Sequence, residues 1–159
     1  MKKIAVFPGS FDPFTKGHED IVRRGIMLFD EIIIGIGVNT TKTRYFSAEL
    51  MQASIAYTFQ DLSNVKVAIF SGLTASFATE HGANFLLRGV RNTTDFEYEN
   101  TVAQANAYLV PGLDTFFLIT SPALASINST IVRDLHKYNA PVDAFLPYPL
   151  AAMIDKFGG

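Results

Sequence analysis

A histidine at the start of a helix and two arginines at the end of a strand are the residues here best suited to chemistry on phosphates. The apolar run Ile4–Phe7 is short enough for a buried strand, and Pro8, Gly9, Ser10, Asp12 and Pro13 are turn formers. After Gly17-His18 the apolar residues Ile21, Val22, Ile26 and Phe29 fall on one helical face. A strand, a glycine-containing loop and a helix in that order direct free N–H groups and the positive end of a helix dipole at one spot, which suits a phosphate. Ser10 adds a hydroxyl beside it, and His18, in the first helical turn, is within reach of the same anion. Farther on, Arg88 and Arg91 flank Gly89. Arginine makes bidentate contacts to phosphate, and glycine lets a ligand approach the backbone. Position alone leaves a second reading equally open, two surface arginines paired with Asp95 or Glu97. Ser129 reads as a helix cap, a role compatible with phosphate binding.

The elements that must position these residues alternate. Ile32–Val38, Val65–Phe70, Phe85–Leu87 and Thr115–Thr120 read as further strands. Ser47 is placed to cap a helix carrying Leu50, Met51, Ile55 and Phe59. Helices are also predicted over Thr74–His81, from Thr94 to about Tyr108 with a capping box at Thr94–Glu97, from Ile131 to about Tyr138, and over Leu150–Lys156. Strands alternating with helices imply an α/β fold, a doubly wound five-stranded parallel sheet of Rossmann-like form, over one domain at 1–159. In such sheets ligands bind beyond the carboxyl ends of the strands. The polar loops Gly9–His18, Asn39–Arg44, Arg88–Arg91 and Ser121–Thr130 belong at that end.

Composition narrows the classes further. With 48% hydrophobic and 18% charged residues the chain is expected to be globular. The absence of cysteine excludes disulfides and thiolate catalysis and argues against structural zinc. A net charge of −2 argues against a general nucleic-acid binder, so an anionic ligand must be held by local basic clusters. No apolar run approaches a membrane span or a secretory leader, which makes cytoplasmic the default location. No nucleophile–base pair is visible that would support a covalent intermediate.

Gly9-Ser10-Phe11-Asp12-Pro13 with Thr15-Lys16-Gly17-His18 resembles the (His/Thr)-x-Gly-His signature of the nucleotidyltransferase superfamily. Leu86–Arg91 followed by Asp95-Phe96-Glu97-Tyr98-Glu99 is similar to a more specific segment, that of the bacterial phosphopantetheine adenylyltransferases. Ile127–Thr130 with Val132 and Arg133 resembles that family's serine-rich segment, and Phe145-Leu146-Pro147 its closing motif. The resemblance covers essentially the whole chain.

The resemblance implies a reversible, Mg²⁺-dependent reaction, the penultimate step of coenzyme A synthesis: ATP and 4′-phosphopantetheine give dephospho-coenzyme A and pyrophosphate. His18 would stabilise the transition state, with Lys42 and Arg91 as further catalytic residues. Ser10, Lys42, Thr74 and Arg88 would bind 4′-phosphopantetheine, Thr74 through its backbone. ATP would meet Ser10, Phe11, His18, Gly89, Val90, Arg91 and Glu99, and the run Leu124, Ala125, Ser126, Ile127, Asn128, Ser129 and Thr130. Mg²⁺ would sit mainly on phosphate oxygens. A homohexamer built as a dimer of trimers and feedback by coenzyme A are implied in the same way. Three positions depart from the family pattern. Ser10 stands where threonine is common, Asn128 replaces a serine, and Leu124 replaces an aromatic. His81 and His136 match no motif and are expected at the surface.

Overall fold

The apolar runs do form the strands, but two of them extend farther than their hydrophobic pattern predicts. The computed structural model describes residues 1–158. Its strands are β1 (Ile4–Gly9), β2 (Glu31–Gly37), β3 (Val65–Phe70), β4 (Phe85–Val90) and β5 (Asp114–Ile119). They form one parallel sheet in the order β3-β2-β1-β4-β5. The ladder continues past the apolar residues because it pairs backbone, which does not depend on the side chain. Gly9 lies opposite Ile36, and Arg88, Gly89 and Val90 lie opposite Phe117, Leu118 and Ile119. Arg88 is therefore a strand residue, not a loop residue.

One seam of the sheet is incomplete. β1 pairs with β2 over the whole of Ile4–Gly9, but with β4 only at Ala5 and Val6. Pro8 has no N–H to offer a ladder. Beyond Val6 the two central strands part, at the point where the winding of the sheet reverses direction. A ligand cleft is expected at such a switch point.

The helices are α1 (Lys16–Gly25), α2 (Ala48–Thr58), α3 (Thr74–Glu80), α4 (Thr93–Leu109), α5 (Ser129–Lys137) and α6 (Leu150–Phe157). Strand alternation sends Phe7, Ile32, Ile34 and Leu87 into a core shared with α1, α2, α5 and α6. Val6, Ile33 and Leu86 point the other way, toward Ala75, Phe77 and Ala78 of α3. Ser47 caps α2, its side chain accepting the Leu50 N–H at 3.1 Å. Two expected caps are displaced by one or two residues. Asn92, not Thr94, caps α4 by accepting the Asp95 N–H, and Asn128, not Ser129, caps α5 by accepting the Ile131 N–H. Both asparagines have the extended backbone of an N-cap, and asparagine is among the residues that cap best.

Candidate active site

A cavity of about 300 Å³ opens where β1 and β4 part. It is lined by Ser10, His18, Arg88, Arg91 and Ser129 among others, so the structure brings together the residues singled out for phosphate chemistry. His18 is the third residue of α1, the position a glutamate takes in a capping box. Its Nδ1 accepts the Thr15 N–H at 3.0 Å, with Thr15 Oγ1 at 3.2 Å from the same nitrogen. A backbone N–H only donates, so Nδ1 is unprotonated and the neutral ring carries its hydrogen on Nε2. The rings of Phe11 and Phe14 pack on it at centroid distances of 5.0 and 5.3 Å. Burial among them, reinforced by the Arg88 and Arg91 charges, pushes its pKa from 6.5 down to about 3. At neutral pH His18 is thus an uncharged donor in a fixed tautomer. Thr15, buried at the loop–helix junction, is what orients His18 and was not among the expected site residues, although it opens the recognised motif.

The arginines combine both of the readings open at the sequence level. Arg91 pairs with Asp95, Nε to Oδ2 at 2.9 Å, and lines the cavity at the same time. Arg88 takes neither Asp95 nor Glu97. It forms a two-pronged pair with the buried Glu99, Nη2 to Oε1 at 2.5 Å and Nε to Oε2 at 2.7 Å, and also donates to the Pro8 carbonyl. Parting of the strands leaves that carbonyl without a β4 partner, and Arg88 fills the gap. Both Glu99 oxygens are occupied by Arg88, so its action on a nucleotide would pass through that guanidinium. Gly89 has a packing reason as well: a Cβ there would meet Ile21 Cγ1 at 2.9 Å, so only glycine lets α1 lie this close to β4.

Two further cavities adjoin the first. One of about 310 Å³ shares Gly9, Arg88 and Glu99 with it, and its walls include Phe70, Leu86, Val102 and Ala103. Thr74 lies on its lining. So do Tyr98 and Asn106, which sequence reasoning missed; spacing of 98, 102 and 106 along α4 was the available signal. The other, about 490 Å³, contains Lys42, Arg44 and Arg133 and shares Ser10 with the first. The structure thus places Lys42 and Thr74 in chambers adjoining His18's, not in the same one.

The remaining expected residues divide. Phe11, Gly89, Ile127, Asn128 and Ser129 line the first cavity, whereas Val90, Leu124, Ala125, Ser126 and Thr130 do not. Val90 is buried, and Leu124 ends a short 3-10 turn at Pro122–Leu124. The hydroxyls of α5 are already engaged: Ser129 Oγ donates to the Pro13 carbonyl at 2.7 Å, and Thr130 Oγ1 accepts from Arg133 at 3.2 Å. With the Ser129 proton committed and Thr130 off the cavity lining, what α5 offers an anion there is its first backbone amides. His81 is exposed as expected, but His136 is half-buried, its Nδ1 2.8 Å from the Tyr45 hydroxyl.

A parallel α/β sheet with a cleft lined by arginines and His18 at its switch point defines a nucleotide-handling fold of the cytidylyltransferase-like class, and the family of that description matches residues 6–135. The chain is 59% identical to the phosphopantetheine adenylyltransferase of Cytophaga hutchinsonii, over 94% of this chain and 100% of that one. It is 45% identical to the protein of that name from Bacteroides thetaiotaomicron, over 92% of this chain and 96% of that one. Among solved structures, a bifunctional NMN adenylyltransferase/ADP ribose pyrophosphatase from Francisella tularensis, complexed with AMP and a Mn ion, superposes with a TM-score of 0.68. It is 18% identical and covers 98% of this chain, which spans 50% of that one, so the likeness speaks for the fold alone. This chain belongs to the phosphopantetheine adenylyltransferase family.

Proposed function

We infer that the chain transfers the adenylyl group of ATP to 4′-phosphopantetheine, releasing pyrophosphate and forming dephospho-coenzyme A. Likeness to enzymes of that name over their full length supports the reaction. The geometric observation that carries it is the meeting of a polar, arginine-lined cavity with an apolar one at Gly9 and Arg88. A nucleotide triphosphate suits the first. An acceptor with a phosphate at one end and an uncharged arm suits the second.

In this reading an oxygen of the acceptor phosphate attacks the α-phosphorus, and the bond from that phosphorus to the bridging oxygen breaks, so pyrophosphate leaves with the electron pair. The attacking oxygen is already anionic, so no general base is required. The protein's task is to position two anions and offset charge in the transition state. His18 donates its Nε2–H to the α-phosphoryl group. Lys42 and Arg88 hold the acceptor phosphate against repulsion from ATP, Ser10 touches both substrates, and the Thr74 backbone meets the arm. Arg91, the amides at Gly89 and Val90, and the start of α5 receive ATP.

No group of three or more His, Asp or Glu side chains close enough to hold a metal occurs among the described residues, so these side chains fit Mg²⁺ arriving on the nucleotide rather than a caged ion. Mg²⁺ on the phosphate oxygens would supply further charge neutralisation. A hexamer is in keeping with α4, which exposes Phe96, Tyr98, Val102, Tyr108 and Leu109 along one element. A cytoplasmic location and feedback by coenzyme A complete the reading; no helix among the described residues is long and apolar enough to cross a membrane.

The test is pyrophosphate release from ATP and Mg²⁺ with 4′-phosphopantetheine, nicotinate mononucleotide or glycerol phosphate. Release with 4′-phosphopantetheine alone, and dephospho-coenzyme A in the product, is expected. Release with another acceptor, or with none of the three, would overturn the reading.

A further inference from the structure

Asp12 and Arg44 tie the loop that carries Lys42 to the loop that leads into His18. Beyond β2, residues 39–43 are exposed, and their hydrogen bonds stay within the loop. Asn39 Oδ1 accepts the Thr41 N–H at 2.9 Å, and the Asn39 carbonyl accepts the Lys42 N–H at 3.2 Å. Nothing in those contacts fixes Lys42 relative to the rest of the cleft. The fastening comes two to four residues later. The Asp12 carboxylate accepts the Tyr45 N–H at 2.9 Å and the Phe46 N–H at 2.8 Å. From the other side, the Arg44 guanidinium donates to the Phe11 carbonyl at 3.2 Å and to the Phe46 carbonyl at 3.0 Å.

These are reciprocal charge-assisted hydrogen bonds between two loops, each supplying an ion to the backbone of the other. The receiving loop is itself tightly held. The Asp12 carbonyl accepts from Arg133 at 2.7 Å, and the Phe14 carbonyl from the Tyr148 hydroxyl at 2.7 Å. Phe11 sits at φ +47, a conformation a bulky residue adopts only when its surroundings impose it.

We propose that Asp12 and Arg44 are positioning residues, a bracket that sets Lys42 at its working distance from His18 across the cleft. The proposal rests on the reading of Lys42 as a holder of the acceptor phosphate. It differs from a purely structural role, in which the same bonds would serve only to seat Phe46 and the start of α2. A misplacement of about 1 Å in such a site costs roughly a hundredfold in rate, so a bracket two residues from Lys42 is well placed to matter.

The experiment is a double-mutant cycle on steady-state pyrophosphate release with ATP, Mg²⁺ and 4′-phosphopantetheine. Asp12→Asn, Lys42→Ala and the double variant are compared with the natural chain. Thermal unfolding and the affinity for a non-hydrolysable ATP analogue are measured on each. Asp12→Asn is expected to lower kcat/KM for the acceptor about tenfold to a hundredfold while analogue affinity stays unchanged. In the Lys42→Ala background the same change is expected to cost less than about twofold, because there is then no ammonium to position. Losses that multiply in the double variant would overturn the bracket. If Lys42→Ala by itself leaves kcat/KM unchanged, it is the reading of Lys42 that fails, an outcome distinct from multiplying losses. Should Asp12→Asn not fold, Arg44→Met enters the same cycle, with the same coupling expected.

Discussion

The two ends of the sheet handle charge in opposite ways. At the amino-terminal end, Glu31 opens β2 with 8% of its side chain exposed, and it binds Lys2 at 2.7 Å and Lys66 at 3.0 Å. The Lys2 and Lys66 contacts outweigh burial and hold its carboxyl below the usual range. Here the ladder is intact, and the ion cluster is closed on itself. At the carboxyl end the β1–β4 seam is open, Arg88 and Arg91 have carboxylate partners yet still face a cavity, and His18 is kept uncharged. Lys42 makes no ion pair among the described residues. The same parallel sheet thus supports an ion cluster closed on itself where its strands stay paired and paired arginines that still face a cavity where they part. Parting the strands is what opens that cavity.

Loss of the donor at the open end has the largest expected effect. His18→Ala is expected to lower kcat for pyrophosphate release by about 2.7–4 kcal/mol, roughly a hundredfold to a thousandfold, as for loss of one preorganised donor. Affinity for a non-hydrolysable ATP analogue, measured by calorimetry, should stay close to that of the natural chain. Comparable turnover in the variant would remove His18 from the chemistry.

The same residue gives the open end a pH signature. The folded state holds His18 near pKa 3 against 6.5 when unfolded, so the unfolded chain takes up the proton first as pH falls. The stabilisation is complete above the unfolded value and declines from there toward the folded one, by about 2 kcal/mol between pH 7 and pH 5. Glu31, with its pKa lowered by folding, also loses its contribution on acidification, but only below its ordinary value of 4.5. Urea unfolding at pH 7 and pH 5 separates the two. His18→Gln keeps an acceptor for the Thr15 N–H and should flatten the slope across that interval.

At the closed end, Glu31→Gln is expected to cost about 1 kcal/mol of stability, since both lysines are more than half exposed and water screens the lost pairs. Pyrophosphate release should be unaffected, and a change in it would show that the two ends are coupled. The smallest effect lies in the core between them. Ser54 Oγ is buried without a partner on α2. Ser54→Ala is expected to raise stability by up to about 1 kcal/mol in urea unfolding, through removal of an unsatisfied hydroxyl and a gain in helix propensity.

Much of the open end was legible in the residues. Thr15–His18 and Arg88–Arg91 announced phosphate chemistry because each motif is contiguous in the sequence. Val65–Phe70 emerged with its predicted bounds because its apolar residues, interrupted only by Lys66, stand between the polar Asn64 and the turn formers Ser71-Gly72. The misses share a cause. The ends of β1 and β4 carry Pro8, Gly9, Arg88 and Gly89, residues whose types speak of turns, while their membership in the sheet depends on backbone pairing with neighbours remote in sequence. Glu99 and Asn128, expected as nucleotide contacts, both line the cavity, and the structure adds that one holds Arg88 and the other caps α5.

Sequence alone determined the order of elements, the family, and the set of cationic and hydroxyl groups at one end of the sheet, because periodicity and short motifs are local properties. Only the tertiary structure decided which of those groups are free. The tautomer of His18, the commitment of Glu99 to Arg88, the separation of Lys42 into its own chamber and the bracket of Asp12 with Arg44 all depend on contacts between segments distant along the chain. Hydrogen-bond capacity is spent in three dimensions, and no single-residue pattern records which donor has already found its acceptor.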